Sequence, residues 1–457
     1  MKRPFLIIVL LFISGCASYH AQPLKPSALI QSYEARTLDN AAMRQYVAAH
    51  CGAADRCNPG VWDLHTLTLA AFYFSPELDI ARAQQDTRQA AIQSAAQRPN
   101  PSLLLPFAYT ANAKAGASPY TYGLGLDIPI ETASKRGYRI EQAQQLSNAA
   151  RLNIGNVAWQ VRNRLRNQML ILYTAMRQTS ILKRQRAVQQ QIVEMMNKRL
   201  SLGVASELED NQAHIAFTRS RIDLANAQKQ IVDARAQMAT IIGLPVSALR
   251  DTELHFDAFE RVYPDIPVDD ARRKAILNRA DILAALAEYE ASQAQLQLEI
   301  ARQYPDIHIG PGYTFDAGAD KFVLPVAAIG LPLFNQNQGP IAEARARRTE
   351  LAARVNALQA LAINDTDRAV QNYRIALKNL QLTESLLAEQ QRQWQSMQKS
   401  FQAGELDRLG VTLAEHAFYT NAVVRQDALM QVQQAISQLE NAMQQPLSAT
   451  DFQANPE

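Results

Sequence analysis

The segment LDIPIETASKRGYRIEQA at residues 126–143 decides the fold, because GLPLFNQNQGPIAEARAR at residues 330–347 repeats its layout. In both, a proline within a hydrophobic stretch is followed by a glycine, and a sequence of more than a hundred residues without proline continues from there, after Pro340 in the second repeat. An offset of 201 to 203 residues relates their landmarks, such as Pro129 and Pro332, Gly137 and Gly339, and Gly203 and Gly404. A nearly constant offset over so long a stretch indicates an internal duplication.

Two long stretches without proline, 130 to 244 and 341 to 445, indicate long helices because proline interrupts a helix. At about 1.5 Å per residue, the longest helices would extend roughly 100 Å. We predict leading helices at 62–97 and 269–303. The predicted helical hairpins are 134–202 with 206–242, and 338–402 with 409–443.

Apolar residues recur every seven positions along the longest helices, with largely polar residues beside them. They are Ile181, Val188, Met195 and Leu202 in the first repeat, and Tyr373, Leu380, Leu387, Trp394 and Phe401 in the second. This spacing requires a partner helix and a supercoil. Because the apolar stripe is narrow, we predict a coiled-coil layer with water on its other side.

Two β-hairpins are predicted ahead of the long helices, at about 101–131 and 305–334. Large apolar side chains alternate with other residues along 103–109 and 120–130, 307–316 alternate similarly, and 322–333 form a less regular return strand. The four strands have about the 9–11 residues that a tilted membrane strand needs. A soluble sheet capping a helical bundle is an alternative for the strands alone.

Four strands cannot close a membrane barrel, because the smallest barrels have about eight strands. An open edge in lipid would also leave backbone groups unpaired. The sequence therefore predicts a barrel shared between subunits, and the residues do not choose between two and three chains.

The N-terminus resembles a bacterial lipoprotein signal. Lys2 and Arg3 precede the apolar run 5–13, which is too short to span a bilayer, and small residues then lead to Cys16. We predict lipidation at Cys16, and Ala17 after it is compatible with sorting to the outer membrane. The alternatives are an ordinary secretory signal and a buried N-terminal strand. Export means an oxidising compartment, in which Cys51 and Cys57 could form a disulfide; free thiols or a weak metal site with His50 are the alternatives.

Composition excludes several classes of protein. The chain has 457 residues and only 17 glycines, about half the usual ~7%, which favours long helices over glycine-looped α/β enzymes. The formal charge of +3 includes no basic field for nucleic acid. No phosphate loop, HExxH or GxSxG motif occurs, so we predict no enzyme, cofactor or metal site. The scattered residues His65, His214, His255, His308 and His416 are predicted to be surface or packed side chains.

The lipoprotein signal, the duplicated hairpin unit and the two quoted segments resemble the TolC-type outer-membrane efflux proteins. The first segment resembles particularly the CzcC-like subgroup that serves heavy-metal efflux pumps. The resemblance implies a mainly α protein with a membrane β part, as a homotrimer in the outer membrane. Its strands would form one twelve-stranded β-barrel, continued by a long periplasmic α-barrel.

The resemblance also implies a function. The protein would be a passive exit channel for metal cations or small toxic compounds, without a cofactor, fed by an inner-membrane pump of RND type through a periplasmic adaptor. A non-conducting periplasmic coiled-coil scaffold and the exit duct of a type I secretion system are the alternatives. The predicted organisation is a signal peptide at 1–15, a lipid-anchored segment at 16–61, repeats at 62–245 and 269–446 around a linker at 246–268, and a tail at 447–457.

The hairpin tips are the candidate functional sites. Gly203 and Gly404 are predicted to terminate the long helices, and Ser206 and Asp407 to cap the returning ones. Alternatively, acidic tip residues would form rings that favour cations and are held shut by Arg199 or Arg408. These residues are Glu207, Glu209, Asp210, Glu405 and Asp407.

Some family members place two aspartates after the second tip glycine. Gly410 and Leu413 occupy those positions here, so that gate is not transferred to this chain. Glu209 of the first repeat is the nearest match.

Overall fold

The computed structural model describes residues 18–51, 61–114, 116–263, 268–323 and 330–447. The predicted lipidation site Cys16, the predicted disulfide partner Cys57 and part of the predicted return strand lie outside the described residues. The first helices are α1 (Pro26–Glu34), α2 (Ala41–His50), α3 (Leu64–Phe74), α4 (Pro76–Ala96), α5 (Lys135–Ser201) and α6 (Glu207–Ile242). The later ones are α7 (Val268–Asn278), α8 (Ala280–Ala301), α9 (Gln338–Gln402) and α10 (Arg408–Met443).

The long helices form two hairpins, α5 with α6 and α9 with α10, whose ends lie within one residue of the predicted bounds. Along the hairpins, α5 packs against α6 and α10, and α10 also packs against α9. The helices therefore lie side by side in the order α6, α5, α10, α9. Nearer the sheet the order is α4, α5, α8, α9.

The prediction of a single leading helix in each repeat is wrong, because both are divided in two. Proline at the first position of α4 has no N–H to donate, so α3 ends before Ser75 and Pro76 starts a new helix. In the second repeat no proline marks the break. Instead, Arg279 has extended backbone, and its side chain donates to the Ala442 carbonyl at 3.1 Å and pairs with Asp281 at 2.7 Å.

The strands form one antiparallel sheet. They are β1 (Ser102–Leu104), β2 (Phe107–Tyr109), β3 (Tyr120–Ile130), β4 (Ile307–Ile309), β5 (Gly312–Asp316) and β6 (Ala319–Val323). β1 and β2 pair with β3 on one side, β4 and β5 pair with it on the other, and β6 pairs with β5. The sheet thus has four strand positions, and the broken ones are interrupted at Pro106 and Pro311, where proline cannot donate to the ladder.

Two strand predictions need correction. Among the strands that end within the described residues, only β3 reaches the predicted length, with eleven residues, because Pro106 and Pro311 divide the strands on either side of it. The return strand begins at Ala319 instead of 322, since the two-residue turn Ala317-Gly318 brings Asp316 opposite Ala319. Residues 330–334 are not a strand, because Pro332 lacks an N–H and the Leu333 N–H donates back to the Leu331 carbonyl at 2.8 Å.

A core where α3, α5, α6 and α10 meet holds the two repeats together. At its centre is a buried ion cluster: Glu440 Oε2 lies 3.0 Å from Arg162 Nη1 and 3.3 Å from Arg166 Nε. Toward the tips burial declines, so that on the predicted stripe of α9 Tyr373 is buried and Phe401 is exposed. Among the described residues, no helix combines the length and the apolarity needed to cross a bilayer.

Candidate functional site

Both long helices end at a glycine in the left-handed region. Gly203 has φ +71°, and the Val204 N–H donates to the Arg199 carbonyl at 2.9 Å. Gly404 has φ +79°, and the Glu405 N–H donates to the Ser400 carbonyl at 2.9 Å. These bonds satisfy carbonyls that a helix end leaves free, so the two tips share one backbone design.

The returning helices begin with different caps. Ser206 Oγ accepts from the Glu209 N–H at 3.3 Å, and Glu209 Oε2 accepts from the Ser206 N–H at 2.8 Å, which is a capping box. The hydrogen bonds from the backbone and hydroxyl of Ser206 lower the pKa of the Glu209 carboxyl, and the charge of Arg199 adds to this. At the second tip, Asp407 Oδ1 accepts from the Gly410 N–H at 2.9 Å.

One predicted ion pair joins the two tips. Arg199 Nη1 lies 2.9 Å from Asp407 Oδ2, with 41% and 58% of the two side chains exposed. Asp407 is therefore both a cap and an ion-pair partner. Glu207, Glu405 and Arg408 are exposed, and within the described ranges no ion pair involves any of them. A pair of this exposure contributes about 0.2–1 kcal/mol, so the tips are held together weakly.

Asp210 differs from the other acidic tip residues because it is buried, with 9% of its surface exposed. Its Oδ1 has no hydrogen-bond partner, and its Oδ2 lies 3.6 Å from His214 Nε2. His214 Nε2 lies 3.4 Å from Asn197 Oδ1 on the facing helix α5. We did not predict His214 or Asn197 as site residues; the spacing of four between Asp210 and His214 is the sequence pattern that could have found them.

The N-terminal cysteine region packs on the core. Cys51 is buried and disulfide-bonded. His50 stacks on Tyr46, and its Nδ1 lies 2.8 Å from the Tyr46 carbonyl oxygen. Lipidation at Cys16 and the pairing of Cys51 with Cys57 stay predictions. In the part of the chain that the structure describes, no three His, Cys, Asp or Glu side chains converge as metal ligands.

The sheet exposes its large apolar side chains. Along β3, Tyr120, Tyr122, Leu124 and Leu126 are 40% to 53% exposed, while the small or polar residues between them are half-buried. Tyr122 stacks on Phe315 of β5, with ring centroids 5.0 Å apart. On the other face, Asp316 Oδ2 pairs with Lys321 at 2.8 Å, and its Oδ1 accepts from Thr121 at 3.1 Å. A sheet of a water-soluble protein buries its apolar face. In this sheet the large apolar side chains are instead the more exposed ones, which inverts the usual arrangement.

This fold, a small sheet continuing into long helical hairpins, is found in outer-membrane proteins of known structure. The crystal structure of the outer membrane protein VceC from Vibrio cholerae matches it with a TM-score of 0.68 at 20% identity, over 84% of this chain and 97% of that chain. The chain belongs to the outer membrane efflux protein family, whose model matches residues 72–244 and 271–445. The resemblance to TolC-type proteins is thereby confirmed.

Two relatives indicate the range of the family. The cobalt-zinc-cadmium resistance protein CzcC of Cupriavidus metallidurans is 23% identical over 372 residues, which cover 80% of this chain and 86% of that protein. The pyoverdine export outer membrane protein OpmQ of Pseudomonas aeruginosa is 26% identical over 252 residues, 53% of this chain and 52% of that protein. The family and the structural relatives are channel proteins, not enzymes.

Proposed function

We propose that three copies of this chain form a passive exit channel in the outer membrane, fed by an inner-membrane pump through a periplasmic adaptor. The observation that carries the proposal is that every layer formed by the described residues is open at both sides. In the described residues, β1 and β2 pair only with β3, and β6 pairs only with β5. The helical layers end at α4 and α9 near the sheet and at α6 and α9 along the hairpins.

The open sides are continuous from layer to layer. One side consists of α4, the strands β1 and β2 that follow it, and α6. The other side consists of β6 and of α9, which follows it. If the first side of one copy joins the second side of the next, all three layers close into rings at once, which is a cyclic arrangement. The family resemblance supports three copies instead of two.

Apolar side chains on the edge helices support this joining. Leu208, Ile215 and Ile222 recur every seven residues on α6 and are 52% to 69% exposed. On α9, Ile375 and Leu382 are seven residues apart and each 60% exposed. Heptad stripes of this kind need a partner helix, and a neighbouring copy would supply it.

The inverted sheet supports a membrane location over a scaffold without a pore. An apolar outer face with aromatic residues suits lipid, and a polar inner face with Asp316, Lys321 and Thr121 suits a water-filled lumen. The chain would hydrolyse nothing, so the pump would supply the energy. Lipidation at Cys16 would add an anchor, and the tips would meet the adaptor.

Metal cations are the substrate class that we favour, because CzcC covers most of this chain and its name describes resistance to cobalt, zinc and cadmium. A small organic compound is the second candidate, supported by the similarity of half of the chain to the pyoverdine exporter OpmQ.

The subunit count tests the proposal. Native mass spectrometry of the full-length protein, extracted from membranes in mild detergent, should give three chains per particle. Charged substitutions on both stripes, Ile215→Glu with Ile375→Glu, should reduce that count, whereas Gln228→Glu, on a different face of α6, should not. A wild-type protein that is a monomer throughout would contradict the proposal.

A further inference from the structure

The first tip contains a polar cluster that an open duct does not need. Asp210 and His214 lie one turn apart on α6, and Asn197 faces them from α5. His214 Nε2 is 3.6 Å from Asp210 Oδ2 and 3.4 Å from Asn197 Oδ1. Two oxygen atoms, one from each helix, therefore lie within 3.6 Å of this imidazole nitrogen, and all three atoms are potential metal ligands.

Asp210 is the residue in this cluster that needs explaining. A carboxylate on a side chain that is only 13% exposed is costly unless a positive charge or hydrogen bonds compensate it. Its Oδ1 has no hydrogen-bond partner, and Oδ2 is farther from His214 than a hydrogen bond reaches. The first turns of α6 favour negative charge and so compensate part of this cost. A cation at this position would compensate the remainder.

The distances suit a bound metal ion. Ligand atoms about 2.0–2.2 Å from a tetrahedral zinc ion are separated from one another by about 3.3–3.6 Å. The two measured separations, 3.4 Å and 3.6 Å, fall in this range. An imidazole nitrogen with carboxylate and amide oxygens suits borderline divalent ions such as Zn²⁺ and Co²⁺. Water would complete the coordination, so the ion could exchange.

The second tip provides a natural comparison. With the offset of 201 residues that relates Gly203 to Gly404, the equivalent positions hold Gln398, Val411 and Glu415. The nearest histidine, His416, faces Gln185, with its Nε2 3.5 Å from the amide nitrogen. Of the two tips, therefore, only the first has an aspartate and a histidine one helical turn apart.

The geometry points to a site for one divalent transition-metal ion per chain, formed by Asp210, His214 and Asn197. The ion would link α5 to α6 just behind the turn at Gly203. The site goes beyond the proposed channel and does not depend on it, because a chain that fails to conduct or to trimerise could still bind the metal.

Cobalt titration of the full-length protein in detergent, after treatment with a chelator, tests the site. Co²⁺ alone is added, and its visible absorption reports how many ions bind and with what coordination. The wild type and the control His416→Ala should each bind one Co²⁺ per chain, and Zn²⁺ should displace it. His214→Ala and Asp210→Asn should each weaken binding by about tenfold or more.

Asp210→Asn keeps the size of the side chain and removes the buried charge, so it should fold at least as well as the wild type. Circular dichroism checks this, and weakened binding in that variant then reports the loss of the carboxylate charge at the ion and not a loss of fold. Equal Co²⁺ affinity in all four proteins would overturn the site, as would a wild type that binds no Co²⁺. A loss in His416→Ala as large as that in His214→Ala would also overturn it.

Discussion

The hairpin of α5 and α6 and the hairpin of α9 and α10 turn through the same backbone geometry at their tips. Both have a left-handed glycine and a capped returning helix of 36 residues. Their side chains differ: the first tip has the capping box of Ser206 and Glu209 and the buried Asp210, and the second has Asp407, which reaches across to Arg199. The glycine and the cap thus specify the backbone geometry of a tip. The charged side chains at a tip can differ without changing that geometry.

The largest effect is expected where the hairpins pack together, far from the tips. Glu440→Gln would leave Arg162 and Arg166 buried without their counter-charge, and such a change costs about 3–5 kcal/mol of unfolding free energy. Glu384→Gln, in the exposed pair with Arg425, should cost less than about 1 kcal/mol. Chemical denaturation followed by circular dichroism measures both. Equal losses would mean that burial does not raise the cost of breaking an ion pair in this protein.

The tip glycines should behave alike in both hairpins. Gly203→Ala and Gly404→Ala each place a Cβ in the left-handed region, which costs about 1–2 kcal/mol. Gly155→Ala, in the interior of α5 with the new Cβ 3.5 Å from Ala280 Cβ, should instead stabilise by about 0.5–1 kcal/mol. Thermal unfolding compares the three variants, and a destabilised Gly155→Ala would show that backbone conformation does not decide the effect of adding a Cβ here.

Removing the cap should cost more stability at the second tip than at the first. Ser206→Ala loses only a cap, at about 1 kcal/mol, whereas Asp407→Ala loses a cap and the pair with Arg199. A double-mutant cycle between Arg199→Ala and Asp407→Ala should give a coupling of about 0.2–1 kcal/mol that decreases at high salt. Zero coupling at low salt would mean that the two tips are independent in solution.

The smallest effect concerns pH. The pKa of Glu209 is lowered in the folded chain, so the stability that it contributes is present above its ordinary pKa of about 4.3 and is lost as pH falls through the lower folded value. Hydrogen exchange at the start of α6, corrected for intrinsic rates, should therefore accelerate in acid. Glu209→Gln should remove this dependence, and the second tip, with Gly410 at that position, should not show it.

The helical hairpins could be predicted almost to the residue, because proline, glycine and the seven-residue spacing are local features. The break at Arg279 could not, since it depends on the Ala442 carbonyl far along the chain. The strand ends at Pro106 and Pro311 were visible as prolines, but the start of β6 depends on a turn through Ala317 with positive φ, which few residues favour.

The candidate sites were only partly predictable for the same reason. The tip acids and glycines are recognisable from their position after a long helix. The burial of Asp210 and its approach to Asn197 arise from helix packing, and Arg162 meets Glu440 across 278 residues. Such contacts between distant segments have no signature in one sequence.

Single-channel recording in planar bilayers tests the central claim, that the open layers of this chain close into a water-filled duct, most directly. Purified full-length protein should produce discrete conductance steps of uniform size. Arg199→Ala with Asp407→Ala, which frees the tips from each other, should leave the steps present and at least as large. Trimers that insert into the bilayer and yet carry no current, both as wild type and as this tip variant, would contradict the account.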